Sequence, residues 1–147
     1  MDWDFIKNAI GSNKLELLTR DPKMMEKYTE FKSTVNSKYK DGFKDMIYIK
    51  IFNYNQVSVD GLIHAEFHQE AIQSPVLTIN EFPYHVADGI SHHLVWASFP
   101  IDYSLHVLPL IDLHFKGKEF LSFVNPPHLQ SILTISHYHI FVRDPVV

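Results

Sequence analysis

Asn125-Pro-Pro-His-Leu-Gln-Ser131-Ile-Leu-Thr-Ile-Ser-His137-Tyr-His139-Ile-Phe-Val-Arg143 is the stretch on which the fold turns. Within it His137, His139 and Phe141 alternate with Tyr138, Ile140 and Val142. A period of two belongs to a strand, and it sends both imidazoles to one face and their β-branched and aromatic neighbours to the other. Pro126-Pro127 ends whatever precedes it and holds Asn125 extended or in a turn. Upstream, Ser91-His-His-Leu-Val-Trp-Ala-Ser98 is another strand-like run, with the histidine pair His92-His93. Two histidine-bearing strands beside a proline-braced asparagine have the makings of a site.

Around these strands the chain reads as one α+β domain of 147 residues, with a helical part over 1–45 and a β-rich part over 46–147 that carries the histidines. Asp2 or Asp4 starts a short amphipathic helix whose apolar side is Phe5, Ile6, Ala9 and Ile10, and Gly11-Ser12-Asn13 breaks it. Leu15, Leu17 and Leu18 make a brief apolar patch. Asp21-Pro22 is a helix start, an N-cap followed by proline at the first helical position. From there Met24, Tyr28, Phe31, Val35 and Tyr39 recur at three- and four-residue steps, which predicts a helix to about Tyr39 capping the rest.

Past Asp41-Gly42 the texture turns to β. Met46-Ile-Tyr-Ile-Lys-Ile-Phe-Asn-Tyr54 reads as a strand, with Gln56–Asp60 as its short partner. Leu62–Phe67, Val76–Phe82 and Ser91–Ser98 are further strands, and Asp88-Gly89 is a turn. Between Pro109 and Gly117 a short helix is expected, and Lys118–Val124 is a strand feeding Asn125. The expected architecture is two N-terminal helices on a mainly antiparallel sheet, with the histidine strands central.

Composition narrows the function classes. A net charge of −4 argues against a broad nucleic-acid or anionic-membrane surface. The absence of cysteine removes disulfides, thiolate metal sites and a cysteine nucleophile, and suits a reducing, cytoplasmic setting. The acidic opening Met-Asp-Trp-Asp-Phe carries no leader pattern, and no apolar run is long enough to span a bilayer. Ten histidines are many for this length. No P-loop, dinucleotide-binding glycine signature, nucleophile elbow or zinc-protease motif is present.

Two blocks together carry a resemblance. Ile10-Gly-Ser-Asn-Lys-Leu-Glu-Leu-Leu-Thr-Arg20-Asp-Pro22 with Tyr28 and Tyr39, and Asn125-Pro-Pro with Ser131 and His137-Tyr-His139-Ile-Phe-Val-Arg143, resemble the opening and close of the fungal N-acetylglucosamine-induced protein family. The Phe82-Pro-Tyr84, Gly89 and His92-His93-Leu-Val-Trp96 block fits between them, although segment 101–124 is shorter than the helical connection expected there. The family also has relatives in large DNA viruses, which would place this chain in a host cytoplasm. It is described chiefly by its induction, so the likeness names relatives more than a reaction.

A more distant likeness runs through Asn80-Glu-Phe-Pro-Tyr84, His92-His93, Asn125, Ser131 and His137-Tyr-His139, in an order similar to histidine-triad and galactose-1-phosphate-uridylyltransferase-like proteins. That resemblance implies His139 as nucleophile toward a phosphate, His137 as its neighbour there, and Asn125 and Ser131 as hydrogen-bonding partners. Phe141 stands where the triad's third histidine belongs. The implied ligand is a small phosphorylated compound, a nucleotide or nucleotide sugar, with no cofactor.

Imidazole suits this chemistry, being a usable nucleophile that titrates near neutral pH. The same residues admit a divalent transition metal held by His92, His93, His137 and His139. A non-catalytic binding module is the third reading. Tyr84 is a candidate for stacking on a ligand base, and Arg143 for reaching a phosphate or pairing with a carboxylate. Trp96 shares parity with His92 and follows it inward or outward. The preferred reading is that Trp96 is core, as is Tyr138, which faces away from the His-x-His pair. His128 is a secondary candidate, and the remaining histidines are expected to be ordinary.

Overall fold

A computed structural model describes residues 1–126 and 135–146. It has the expected α+β architecture, built on a four-stranded antiparallel sheet. The strands are β3 (Val76–Ile79), β4 (Ile90–Ala97), β5 (Glu119–Phe123) and β6 (Ser136–Arg143), in the order β3-β4-β6-β5. The two histidine strands are thus central. Their register sets Leu94 opposite His139 and Trp96 opposite His137, while Phe123 of β5 faces His139 from the other side. Opposed residues share a face, so His92, Leu94, Trp96, His137, His139, Phe141 and Phe123 all point the same way.

Helices cover that face. Asp2 caps α1 (Trp3–Gly11) by accepting the Phe5 N–H at 2.8 Å, and α1 buries Trp3, Ile6 and Ala9 against Tyr84, Phe123 and Phe141. A single tight turn, Leu15–Leu17, follows, burying Leu15 but leaving Leu17 exposed. Asp21 caps α2 (Pro22–Lys38) through the Met24 N–H at 2.7 Å. The face expected on α2 is its less exposed one, yet only Val35 within the helix is fully buried. The reason is that Tyr28, Phe31 and Val35 border an open cavity rather than solid core.

Residues 46–54 do not form the expected strand. Phe43–Lys50 is a third helix, α3, so the helical part runs past residue 45. The stretch carries two periods at once. Ile47, Ile49 and Ile51 alternate, but Phe43, Met46, Ile47, Lys50 and Ile51 recur at helical spacing, and those five line the cavity. Lys50 interrupts the apolar stripe and hides it from a hydrophobicity reading. Tertiary anchoring decides between the two. Gly42 turns the chain at φ 59, and Asp45, 2% exposed, accepts the N–H groups of Asp41 and Ala65. Ile47 and Phe52 then pack on Leu94 and Trp96.

With that strand gone, β1 (Asn55–Val59) pairs instead with β2 (Leu62–Glu66). Asp60 and Gly61 join them with φ of 52° and 80°, as a two-residue type I′ turn requires. The Lys40 N–H bonds the Ile63 carbonyl at 2.8 Å, tying the end of α2 to this hairpin. On the sheet's other face a wide helical turn, Tyr103–Val107, and α4 (Leu108–His114) pack Val107 and Ile111 on Val95, Ile140 and Val142. Tyr138 belongs to this side, as its parity required. Among the described residues no helix is long and apolar enough to cross a membrane.

Candidate functional site

Between the histidine face of the sheet and helices α2 and α3 lies a cavity of ≈ 650 Å³. His137, His139, Trp96 and Leu94 form its sheet side, and Tyr84 and Asn125 also line it. The volume and the partly aromatic wall fall in the range of small-molecule sites. Three cations, Arg20, Lys38 and Lys50, border it against one carboxylate, Glu81, although the whole chain is net negative.

The histidines are linked in a chain of hydrogen bonds. The Tyr84 backbone N–H donates to His92 Nδ1 at 3.1 Å, with the Asn80 amide nitrogen 3.4 Å from the same atom. His92 Nε2 is 2.8 Å from His139 Nδ1. His139 Nε2 then faces the Asn125 side chain at 3.4 Å, and Asn125 also bonds the Tyr84 hydroxyl at 3.3 Å. His137 is held differently, its Nδ1 3.2 Å from the Ile135 carbonyl. Its ring stacks on Trp96 at 4.9 Å, while His139 stacks on Phe123 at 4.7 Å and 6°.

Burial keeps these rings neutral. It pushes His92 down to about 3, with Arg20 and His93 adding repulsion. It pushes His139 well below the ordinary value, helped by His92, His137 and Arg20. His137 is lowered by burial too, against which the Ile135 carbonyl stabilises a proton. Burial raises the Tyr84 phenol, with Asn125 and Arg20 opposing.

Arg20, just before the α2 cap, is the functional-looking residue that sequence reasoning passed over. Its Nε donates to the Phe82 carbonyl at 2.7 Å, and its guanidinium carbon sits 4.1 Å from the Tyr28 ring centre and 5.1 Å from that of Tyr84. No carboxylate pairs with it among the described residues. Nothing local in the sequence marks it, because the rings that hold it come from α2 and from the loop before β4. Phe123 could have been found, since it shares its strand's parity with Asn125.

The other expected residues divide. Tyr84 and Asn125 are at the site, and Tyr84 is a buried wall rather than an exposed platform. Trp96 follows His92 inward and lines the cavity, not core alone. His93 does not join the set. One residue along the strand from His92, it points to the opposite face, bonding the Ser91 hydroxyl at 2.8 Å and packing on Phe115. The four-histidine metal set is therefore split by the sheet. Arg143 pairs with Glu119 and lies over the Trp3 ring at 4.4 Å, away from the cavity lining. Ser131, His128 and Pro127 lie outside the described residues.

Asp41, Asp45 and His64 are the one group among the described residues whose metal-ligand-type atoms converge, within 4.8 Å. Both Asp45 oxygens are already taken by backbone N–H groups, and His64 Nδ1 lies 2.9 Å from one of them. That arrangement is a clamp between α3 and the hairpin.

These features define a small α+β domain whose central antiparallel strands present a linked histidine set to a helix-roofed, cationic cavity. The chain belongs to the family described as "Protein of unknown function (DUF3605)", whose model matches residues 2–107. That span includes Arg20, Tyr84 and His92 and stops before β5 and β6. The chain is similar to the uncharacterized protein YPL067C of Saccharomyces cerevisiae, 24% identical over 161 residues that cover 97% of this chain and 79% of that protein. Its fold resembles the crystal structure of HTC1, with a TM-score of 0.67 at 22% identity, over 98% of this chain and 85% of that one.

Proposed function

We propose that the cavity binds a small phosphate ester, a nucleotide or nucleotide sugar, and that the His137-Tyr-His139 strand hydrolyses it or transfers its phosphoryl group. Arg20 is the observation that carries this reading. A guanidinium braced by two tyrosine rings and a carbonyl, with no carboxylate partner among the described residues, is a preformed anion donor. Lys38 and Lys50 extend the positive wall, and Tyr28, Phe31 and Phe43 offer surface for a base or sugar. Neutral imidazoles in the same lining suit attack on phosphorus. The order Asn125, then His137 and His139, supports the distant likeness to histidine-triad and uridylyltransferase-like proteins. The paired end blocks support kinship with the fungal N-acetylglucosamine-induced proteins.

Calorimetric titration with AMP, ADP and UDP-glucose tests the binding, and release of p-nitrophenol from its phosphate mono- and diesters tests the chemistry. Binding at micromolar to millimolar ligand is expected, and Arg20→Ala should weaken it at least about tenfold, as loss of a charge-assisted hydrogen bond does. No binding of any of the three at millimolar concentration overturns the reading. Binding without turnover leaves the cavity a non-catalytic module.

A further inference from the structure

The hydrogen-bond chain has a direction, and its direction distinguishes the two histidines of β6. A backbone N–H can only donate, so His92 Nδ1, which receives that of Tyr84, carries no proton. A neutral His92 therefore bears its hydrogen on Nε2 and donates it to His139 Nδ1. His139 in turn carries its hydrogen on Nε2, the nitrogen directed at Asn125. For this contact to be a hydrogen bond, the amide oxygen of Asn125 rather than its nitrogen must face His139. His137 is set the opposite way. Its Nδ1 must donate to the Ile135 carbonyl, which leaves a lone pair on Nε2. No buried side-chain nitrogen among the described residues lacks a partner, so this Nε2, with none, opens onto the cavity.

We infer that His137, and not His139, presents the reactive lone pair, while His92 locks His139 as an N–H donor toward Asn125. The chemical part rests on the phosphate-ester reading; the tautomers do not. In the step this implies, His137 Nε2 forms a bond to phosphorus as the ester P–O bond breaks, and the departing oxygen takes a proton from solvent. Water then adds to phosphorus, the P–N bond breaks, the lone pair returns to Nε2 and a proton is released to solvent. His139 stays neutral throughout, its Nε2–H directed at the Asn125 side chain. The stack of Trp96 on the His137 ring fixes the plane in which the lone pair points.

Two-bond 1H–15N correlation spectra of the labelled wild-type chain read each tautomer without any ligand. Protons on Nε2 of His92 and His139 and on Nδ1 of His137 are expected. A proton on His139 Nδ1 overturns the assignment whatever the cavity binds. Incubation with phosphoramidate, which transfers a phosphoryl group to an imidazole lone pair and releases ammonia, tests the chemistry. Peptide mapping should find the phosphoryl group on His137 in the wild type. Label on His139 overturns the inference. Label on neither, with the expected tautomers present, overturns the chemical role of His137 alone, and the phosphate-ester reading falls with it only if the nucleotides also fail to bind.

Discussion

His92 Nε2 lies 2.8 Å from His139 Nδ1, across the diagonal between β4 and β6, with both residues under 5% exposed. The contact joins the two middle strands on the face that the helices roof. It also continues into the loop before β4, since the other nitrogen of His92 holds the Tyr84 N–H. His92→Phe keeps a ring and removes both nitrogens. It orphans two donors, the Tyr84 N–H and the Asn80 amide, and one acceptor, and a loss of roughly 2–4 kcal/mol of folding stability is expected at neutral pH. Urea unfolding measures it, and a loss below about 0.5 kcal/mol would show that the linked bonds do not form.

Acid should destabilise the fold before most carboxylates protonate. His92 is held to about 3, against 6.5 for an ordinary histidine, and His137 and His139 are also lowered. Between those two values the unfolded chain binds protons that the folded one refuses, so stability rises with pH. It is complete above 6.5 and falls as pH drops toward 3, by up to about 1.4 kcal/mol per pH unit for each histidine that stays neutral. Urea midpoints at pH 7.5, 6 and 5 should fall in that order, and His92→Phe should flatten the trend. An unchanged midpoint over this range counts against neutral buried rings.

Asp45 is expected to matter more than its partner His64. Burial raises its carboxyl, but the N–H groups of Ala65 and Asp41 and then His64 outweigh that and hold it below the usual range. Asp45→Ala leaves two backbone donors bare and should cost roughly 2–4 kcal/mol. His64→Ala removes a half-exposed pair and should cost under about 1 kcal/mol. Thermal and urea unfolding of the two variants give the comparison, and equal losses would contradict the clamp.

Gly42 starts α3 with φ 59 and ψ −130, a conformation open to glycine and few others. A Cβ there would lie 2.7 Å from Asn36 Oδ1. Gly42→Ala should destabilise by about 1–3 kcal/mol. Asn36→Ala in the same chain should recover only the part that comes from the clash, leaving the backbone strain. Full recovery in the double variant would assign the whole cost to Asn36.

The outer elements were legible because their signals are local. Asp21-Pro22 starts a helix wherever it stands, and the face from Met24 to Tyr39 keeps its period whether it meets core or cavity. The parity of His137 and His139 could be read directly, and Tyr138 had to lie on the far side. Residues 43–52 were not legible, since two periods overlap there and Gly42, Asp45 and the contact with Trp96 choose between them. For His92 and His93 the sequence offers an adjacent pair, and only one can face the site.

By itself, then, the sequence determined the α+β class, the central place of the histidine strands and the alternation that separates β6 into two faces. Tertiary structure decided which of His92 and His93 turns inward, that α3 is a helix, and that Arg20 lines the same cavity as His137. It also set the direction of the hydrogen bonds from Tyr84 through His92 to His139. Periodicity is a property of neighbours along the chain, whereas a bond's direction depends on which donor the fold brings to each nitrogen.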